Sequence, residues 1–176
     1  MKFRPAVFWA AVLVLFLALA GLAYLGFFTR FMADDFCVAG QVLQRSLSGM
    51  VAEWYATING RFMSILVSSL VVSGGVGAAG WMPALAGLLW LAGLTWAILP
   101  LTRRSASPHP NLLAAFFSGI TLLVLLASTP NLYQSFFWHS GMVTYSLPLV
   151  GLTFSAGIIL RTWLEKANLL QSSYIL

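Results

Sequence analysis

The run from Ala6 to Phe28, AVFWAAVLVLFLALAGLAYLGFF, carries no charged side chain and decides the class of fold. A bilayer's hydrocarbon core is about 30 Å thick and needs about 20 apolar residues in helical conformation. The run meets that length and is hydrophobic all round, as a lipid-facing helix is and an amphipathic surface helix is not. Pro5, just before it, suits a first helical turn, and Lys2 and Arg4 hold this end on the cytoplasmic side. Ala18-Leu19-Ala20 has the small-residue spacing of a signal-peptidase site. The apolar run continues for eight residues past it, longer than a secretory core, so an uncleaved anchor is expected.

Working outward, four further uncharged runs have comparable length: Phe62 to Gly80, Met82 to Leu101, Leu112 to Ser128 and Val143 to Leu160. The second and third of the five runs are separated only by a Gly-Trp-Met-Pro turn around Pro83. The composition agrees, with 60% hydrophobic residues and 7% charged among 176. Soluble domains carry roughly a quarter charged residues, so these few cannot coat a globule. The nine Lys and Arg are scattered and form no groove-sized basic stripe, which argues against nucleic acid and makes the lipid bilayer the expected partner. The single cysteine, Cys37, cannot form an internal disulfide. An all-α, multi-pass cell-membrane protein with four or five spans and a long loop after the first is expected.

The cations address the number of spans. Five crossings from a cytoplasmic N-terminus leave Lys2 and Arg4 inside and the other seven cations outside, against the positive-inside tendency. If Phe62 to Leu101 crosses a net odd number of times, Arg103, Arg104, Arg161 and Lys166 join them, six against three. The weaker half is Phe62 to Gly80, where Ser64, Ser68, Ser69 and Ser73 precede Gly74-Gly75-Val76-Gly77. The four-span arrangement places the loop at Asp34-Asp35 and the segment Gln134 to Tyr145 on one outer face, and the five-span arrangement separates them.

The connector from Thr29 to Arg61 holds Asp34, Asp35 and Glu53, three of only four acids in the chain. Apolar residues at Val42, Leu43, Leu47, Met50, Val51 and Trp54 recur every three or four positions, predicting a short helix over 42–55 on the membrane surface. Adjacent carboxylates at the membrane surface suit a general base, or else a helix-capping pair with Arg30 as local partner. Asn59-Gly60-Arg61-Phe62 joins a turn signal to an arginine whose planar fork suits phosphate or an aspartate, or which snorkels at a helix end. From Tyr133 to Pro148 an aromatic-rich stretch offers Gln134, Trp138, His139 and Tyr145, fitting a sugar or prenyl pocket or an interfacial aromatic belt. His139 has no partner at metal-ligand spacing. Nucleophile-elbow, phosphate-loop and zinc-protease signatures are absent.

Together, Ala33-Asp34-Asp35-Phe36-Cys37 after the anchor, Asn59-Gly60-Arg61-Phe62, and Asn131 to Gly141 resemble a family of uncharacterised multi-spanning bacterial membrane proteins. That family is in turn similar to the GT-C glycosyltransferases, which use polyprenyl-phosphate sugars at the outer membrane face. The resemblance implies that Asp34 or Asp35 deprotonates the acceptor hydroxyl or binds a divalent metal ion. It implies that Arg61 meets the lipid-phosphate leaving group, and that Gln134, Trp138, His139 and Tyr145 line the substrate pocket. GT-C enzymes are several hundred residues long, so residues 1–176 are expected to be the N-terminal part of a larger fold, with residues 29–61 as the outer loop. A non-enzymatic transporter, flippase or assembly subunit is the alternative, although the spans hold few of the ionisable groups that mark ion routes.

Overall fold

A computed structural model of the chain describes residues 5–57, 61–105 and 107–173, the side chains of Pro5, Val76 and 165–173 excepted. Among the described residues seven α-helices follow in order: α1 Pro5–Gly26, α2 Asp34–Gln44, α3 Leu47–Thr57, α4 Phe62–Ser73, α5 Val76–Arg104, α6 Pro110–Ala127 and α7 His139–Ser173. A π-helical turn, Tyr133–Phe137, precedes α7. The described residues contain no strand, and the fold is all-α and polytopic.

Four helices, α1, α5, α6 and α7, are long and apolar enough to cross a membrane. With 12 residues, α4 reaches only about 18 Å at 1.5 Å per residue, short of a hydrocarbon core of about 30 Å. The run Phe62 to Gly80 therefore does not form one span. It breaks at Gly74-Gly75, where Gly75 takes φ 79°, a left-handed conformation glycine adopts without steric cost. Four alternating crossings would put the connector after α1 and the connector after α6 on the same side.

Two local expectations are corrected. No turn forms at Gly80 to Pro83, because α5 starts at Val76 and runs through them. Proline has no N–H for the carbonyl four residues back, here that of Ala79, and the Thr29 hydroxyl, shared with the Gly26 carbonyl at 2.8 Å, lies 3.2 Å from that oxygen in the place of the lost donor. Nor does one helix cover 42–55. Arg45 is extended, φ −137° and ψ 158°, which separates α2 from α3. Ser46 then accepts the Gly49 N–H on its hydroxyl at 3.2 Å, starting α3 as a side-chain cap does.

The chain divides into two compact units. Residues 20–87 and 129–148 form one, in which Val38, Met50 and Ile65 build a small core joining α2, α3 and α4. Trp54 donates from its indole to the Gln41 side chain at 2.7 Å, and Arg45 pairs with Glu53 beside them. Residues 1–19, 88–128 and 149–176 form the other. There Phe8 of α1 meets Phe116 of α6 at 5.3 Å between ring centres. In the same unit, Arg161 of α7 lies over the Trp96 ring of α5, 4.4 Å from its centre.

Candidate functional site

Asp34 and Asp35 open α2, and the helical turn sends them in different directions. Ala33 before them has φ 44° and ψ −110°, a conformation that strains a residue with a side chain. Asp34 is exposed, whereas Asp35 is completely buried. One Asp35 oxygen accepts both the N–H and the hydroxyl of Ser140, the N–H at 3.1 Å. The other accepts the Met32 N–H at 2.9 Å. A buried carboxylate is tolerated only when such donors replace water, and this one ties the start of α2 to the start of α7. Because Asp35 and Ser140 touch, the acidic loop and the start of the aromatic segment meet in one place. Arg30 does not pair with the aspartates. Its guanidinium donates to the Phe27 and Thr29 carbonyls at 2.9 and 2.7 Å.

The start of α7 is fixed by close backbone contacts. The Trp138 N–H reaches back to the Tyr133 carbonyl at 2.7 Å, the five-residue step of a π turn, and such turns are frequent at functional sites. At Gly141 a β-carbon would run into the Gln134 carbonyl oxygen, so only glycine fits. The Ser146 hydroxyl donates to the Ser135 carbonyl. His139 is buried, edge-on to Phe31 with ring centres 6.1 Å apart, and within the electrostatic reach of Asp35.

A polar cavity of about 220 Å³ lies among these helices. Three of them each contribute a pair of residues four apart, and therefore on one helical face: Asp34 and Val38, Ser64 and Ser68, Ser140 and Thr144. Arg61, Trp54 and Ile65 complete the lining. An apolar groove of about 600 Å³ adjoins it, walled by Met63, Val67, Val143, Tyr145, Leu147 and Pro148. Arg61, Ser64 and Thr144 line both spaces and form the seam between them.

Of the residues singled out in the sequence, Asp34 and Arg61 line the polar cavity, and Tyr145 and Arg61 line the groove. Asp35 stands behind the wall, holding Ser140. Gln134 is exposed, with its backbone N–H on the Asn131 side chain at 3.1 Å, and borders neither space. Trp138 and His139 are packed behind Ser140, and no described residue hydrogen-bonds the Trp138 indole N–H or either His139 nitrogen. Asn59 and Gly60 lie outside the described residues. Ser140, Thr144, Ser64 and Ser68 were not singled out as site residues. The four-residue spacing of Ser64 and Ser68 on a short helix was the available signal.

A divalent metal ion does not fit at Asp35, whose oxygens already take three N–H and O–H donors. Among the described residues no group of three His, Cys, Asp or Glu side chains is placed to hold one. In comparison with known proteins, the chain matches no family model, no curated protein and no solved structure.

Proposed function

We propose that this chain carries the donor site of a GT-C-like glycosyltransferase, moving a sugar from a polyprenyl-phosphate carrier at the outer face of the cell membrane. The observation that carries this reading is the junction of a polar cavity with an apolar groove, with Arg61 at the seam. An amphiphile whose charged group lies between a polar head and a long apolar tail matches that sequence of environments. The guanidinium presents a planar set of donors suited to phosphate oxygens, and the groove walls suit an isoprenoid chain.

Asp34, exposed on the cavity wall, is the general base of this reading. The acceptor hydroxyl gives its proton to the Asp34 carboxylate while its oxygen bonds to the anomeric carbon of the sugar. The bond from that carbon to the phosphate oxygen breaks, and the lipid phosphate leaves with the electron pair, inverting the anomeric centre. Arg61 meets the charge that grows on the departing phosphate. Asp35 is a positioning residue, setting Ser140 and the first turn of α7 at the edge of the cavity.

The test is binding and turnover in nanodiscs. A long-chain polyprenyl phosphate is expected to bind at least roughly tenfold more tightly than the matching polyprenol, with Arg61→Ala removing the difference, as for a charge-assisted hydrogen bond. Asp34→Asn is expected to abolish sugar transfer by the active protein while leaving this binding in place. Equal affinity for phosphate and alcohol in the wild type overturns the reading. Binding that persists with transfer unaffected by Asp34→Asn favours a carrier-handling subunit instead.

A further inference from the structure

Three prolines lie inside long helices: Pro83 and Pro100 in α5, and Pro148 in α7. Each lacks the N–H that would bond the carbonyl four residues earlier, leaving the oxygens of Ala79, Trp96 and Thr144 without their usual helical donor. In an apolar medium such oxygens are normally re-satisfied by side chains from elsewhere in the protein. Two of the three follow that rule. The Thr29 hydroxyl stands 3.2 Å from the Ala79 oxygen, and the Arg161 guanidinium donates to the Trp96 oxygen at 2.7 Å.

The third does not. No described side chain donates to the Thr144 carbonyl, and the Thr144 hydroxyl likewise takes no hydrogen-bond partner among the described residues. Thr144 and Pro148, four apart, share one face of α7, and both border the apolar groove. Thr144 borders the polar cavity as well, at the seam with Arg61 and Ser64. The proline ring occupies the place where the missing N–H would point, so no helical N–H reaches the Thr144 carbonyl from that position.

We infer that the Thr144 carbonyl, released by Pro148, is a built-in hydrogen-bond acceptor for a hydroxyl of the bound headgroup, and that it distinguishes a hydroxylated headgroup from a bare phosphate. This deepens, and rests on, the reading of the cavity as a lipid-phosphate site. The chemistry at the seam is complementary. Arg61 offers only donors and suits phosphate oxygens, whereas a backbone carbonyl offers only an acceptor and suits a hydroxyl. The neighbouring Ser64 and Thr144 hydroxyls can serve either way, so the carbonyl supplies the selective element.

The experiment compares a polyprenyl phosphate with the same lipid carrying one glucose, polyprenyl phosphoglucose, on the intact chain in nanodiscs. The wild type is expected to hold the glucosylated lipid about five- to tenfold more tightly, the effect of one neutral hydrogen bond. Pro148→Ala restores the N–H to the Thr144 carbonyl and is expected to erase that preference, the glucosylated lipid losing affinity relative to polyprenyl phosphate. Thr144→Val removes the hydroxyl but keeps the carbonyl, and is expected to retain most of the preference, which separates the two oxygens. A preference that survives Pro148→Ala overturns the inference, as does a wild type that binds both lipids equally. An equal loss for both lipids in Pro148→Ala also overturns it, pointing to altered helix packing. A wild type that binds neither lipid fails the lipid-phosphate reading itself.

Discussion

The two compact units differ in where their polar side chains converge. In the unit containing residues 88–128 and 149–164, hydroxyls turn back onto their own helices and Arg161 bonds within the protein. Ser118 donates to the Ala114 carbonyl at 2.7 Å and Thr95 to the Leu91 carbonyl at 2.7 Å. Arg161 is divided between the Trp96 carbonyl and the Trp96 ring. In the unit containing residues 20–87 and 129–148, Asp34, Arg61, Ser64, Ser68, Ser140 and Thr144 line a cavity. Hydroxyls that turn back onto their own helix are the ordinary way to carry Ser and Thr through lipid. A set of polar side chains converging on one space is not needed for packing, and it is there that the proposed chemistry is placed.

Three substitutions break or sharpen this contrast, from the largest expected effect to the smallest. Gly141→Ala sets a β-carbon against the immovable Gln134 carbonyl and should lower stability by about 3 kcal/mol or more, as overpacking against backbone does. Thermal unfolding in nanodiscs reads it, and a melting temperature equal to wild type would show that the π turn and α7 are not locked together. Asp35→Asn keeps the shape but sets an amide NH2 against an N–H or O–H donor, at a cost of about 2 kcal/mol. Its predicted signature is a lower melting temperature together with loss of the docking between α2 and α7. Full stability would move Asp35 from positioning to chemistry. Arg161→Met removes one carbonyl partner and one ring contact, for about 1 kcal/mol. Polyprenyl phosphate affinity should not change in that variant, and a loss of affinity there would erase the distinction between the units.

Much of the fold was legible because lipid imposes long apolar runs. The first and fourth runs, Ala6 to Phe28 and Leu112 to Ser128, correspond within two residues to α1, Pro5–Gly26, and α6, Pro110–Ala127. The weakness at Gly74-Gly75 was visible too, since no other residue takes φ 79° as readily. Pro83 misled, because a proline reads as a turn unless a donor elsewhere satisfies the freed carbonyl, and Thr29 is 54 positions away. The break at Arg45 was hidden by a helical periodicity that continues across it. Its cause is the Ser46 hydroxyl taking the Gly49 N–H. At the site, the Asp-Asp pair and Arg61 stood out by the scarcity of charge around them. Ser140 and Thr144 did not, since hydroxyls are common in apolar helices and most of them bond to their own backbone.

The sequence by itself determined that the chain is helical and built for a bilayer, because a solvent that accepts no hydrogen bonds forces apolar length and internal backbone pairing. It also placed three of its four acids in one loop. Only the tertiary structure decided that the adjacent aspartates differ, one fully buried on Ser140 and Met32 and one on a cavity wall. It likewise brought residues 34, 61, 64, 140 and 144 around a single space. The physical reason is that apolar length is a local property of the chain, whereas which polar groups find partners and which are left facing a cavity depends on segments more than 100 residues apart, as Asp35 and Ser140 are.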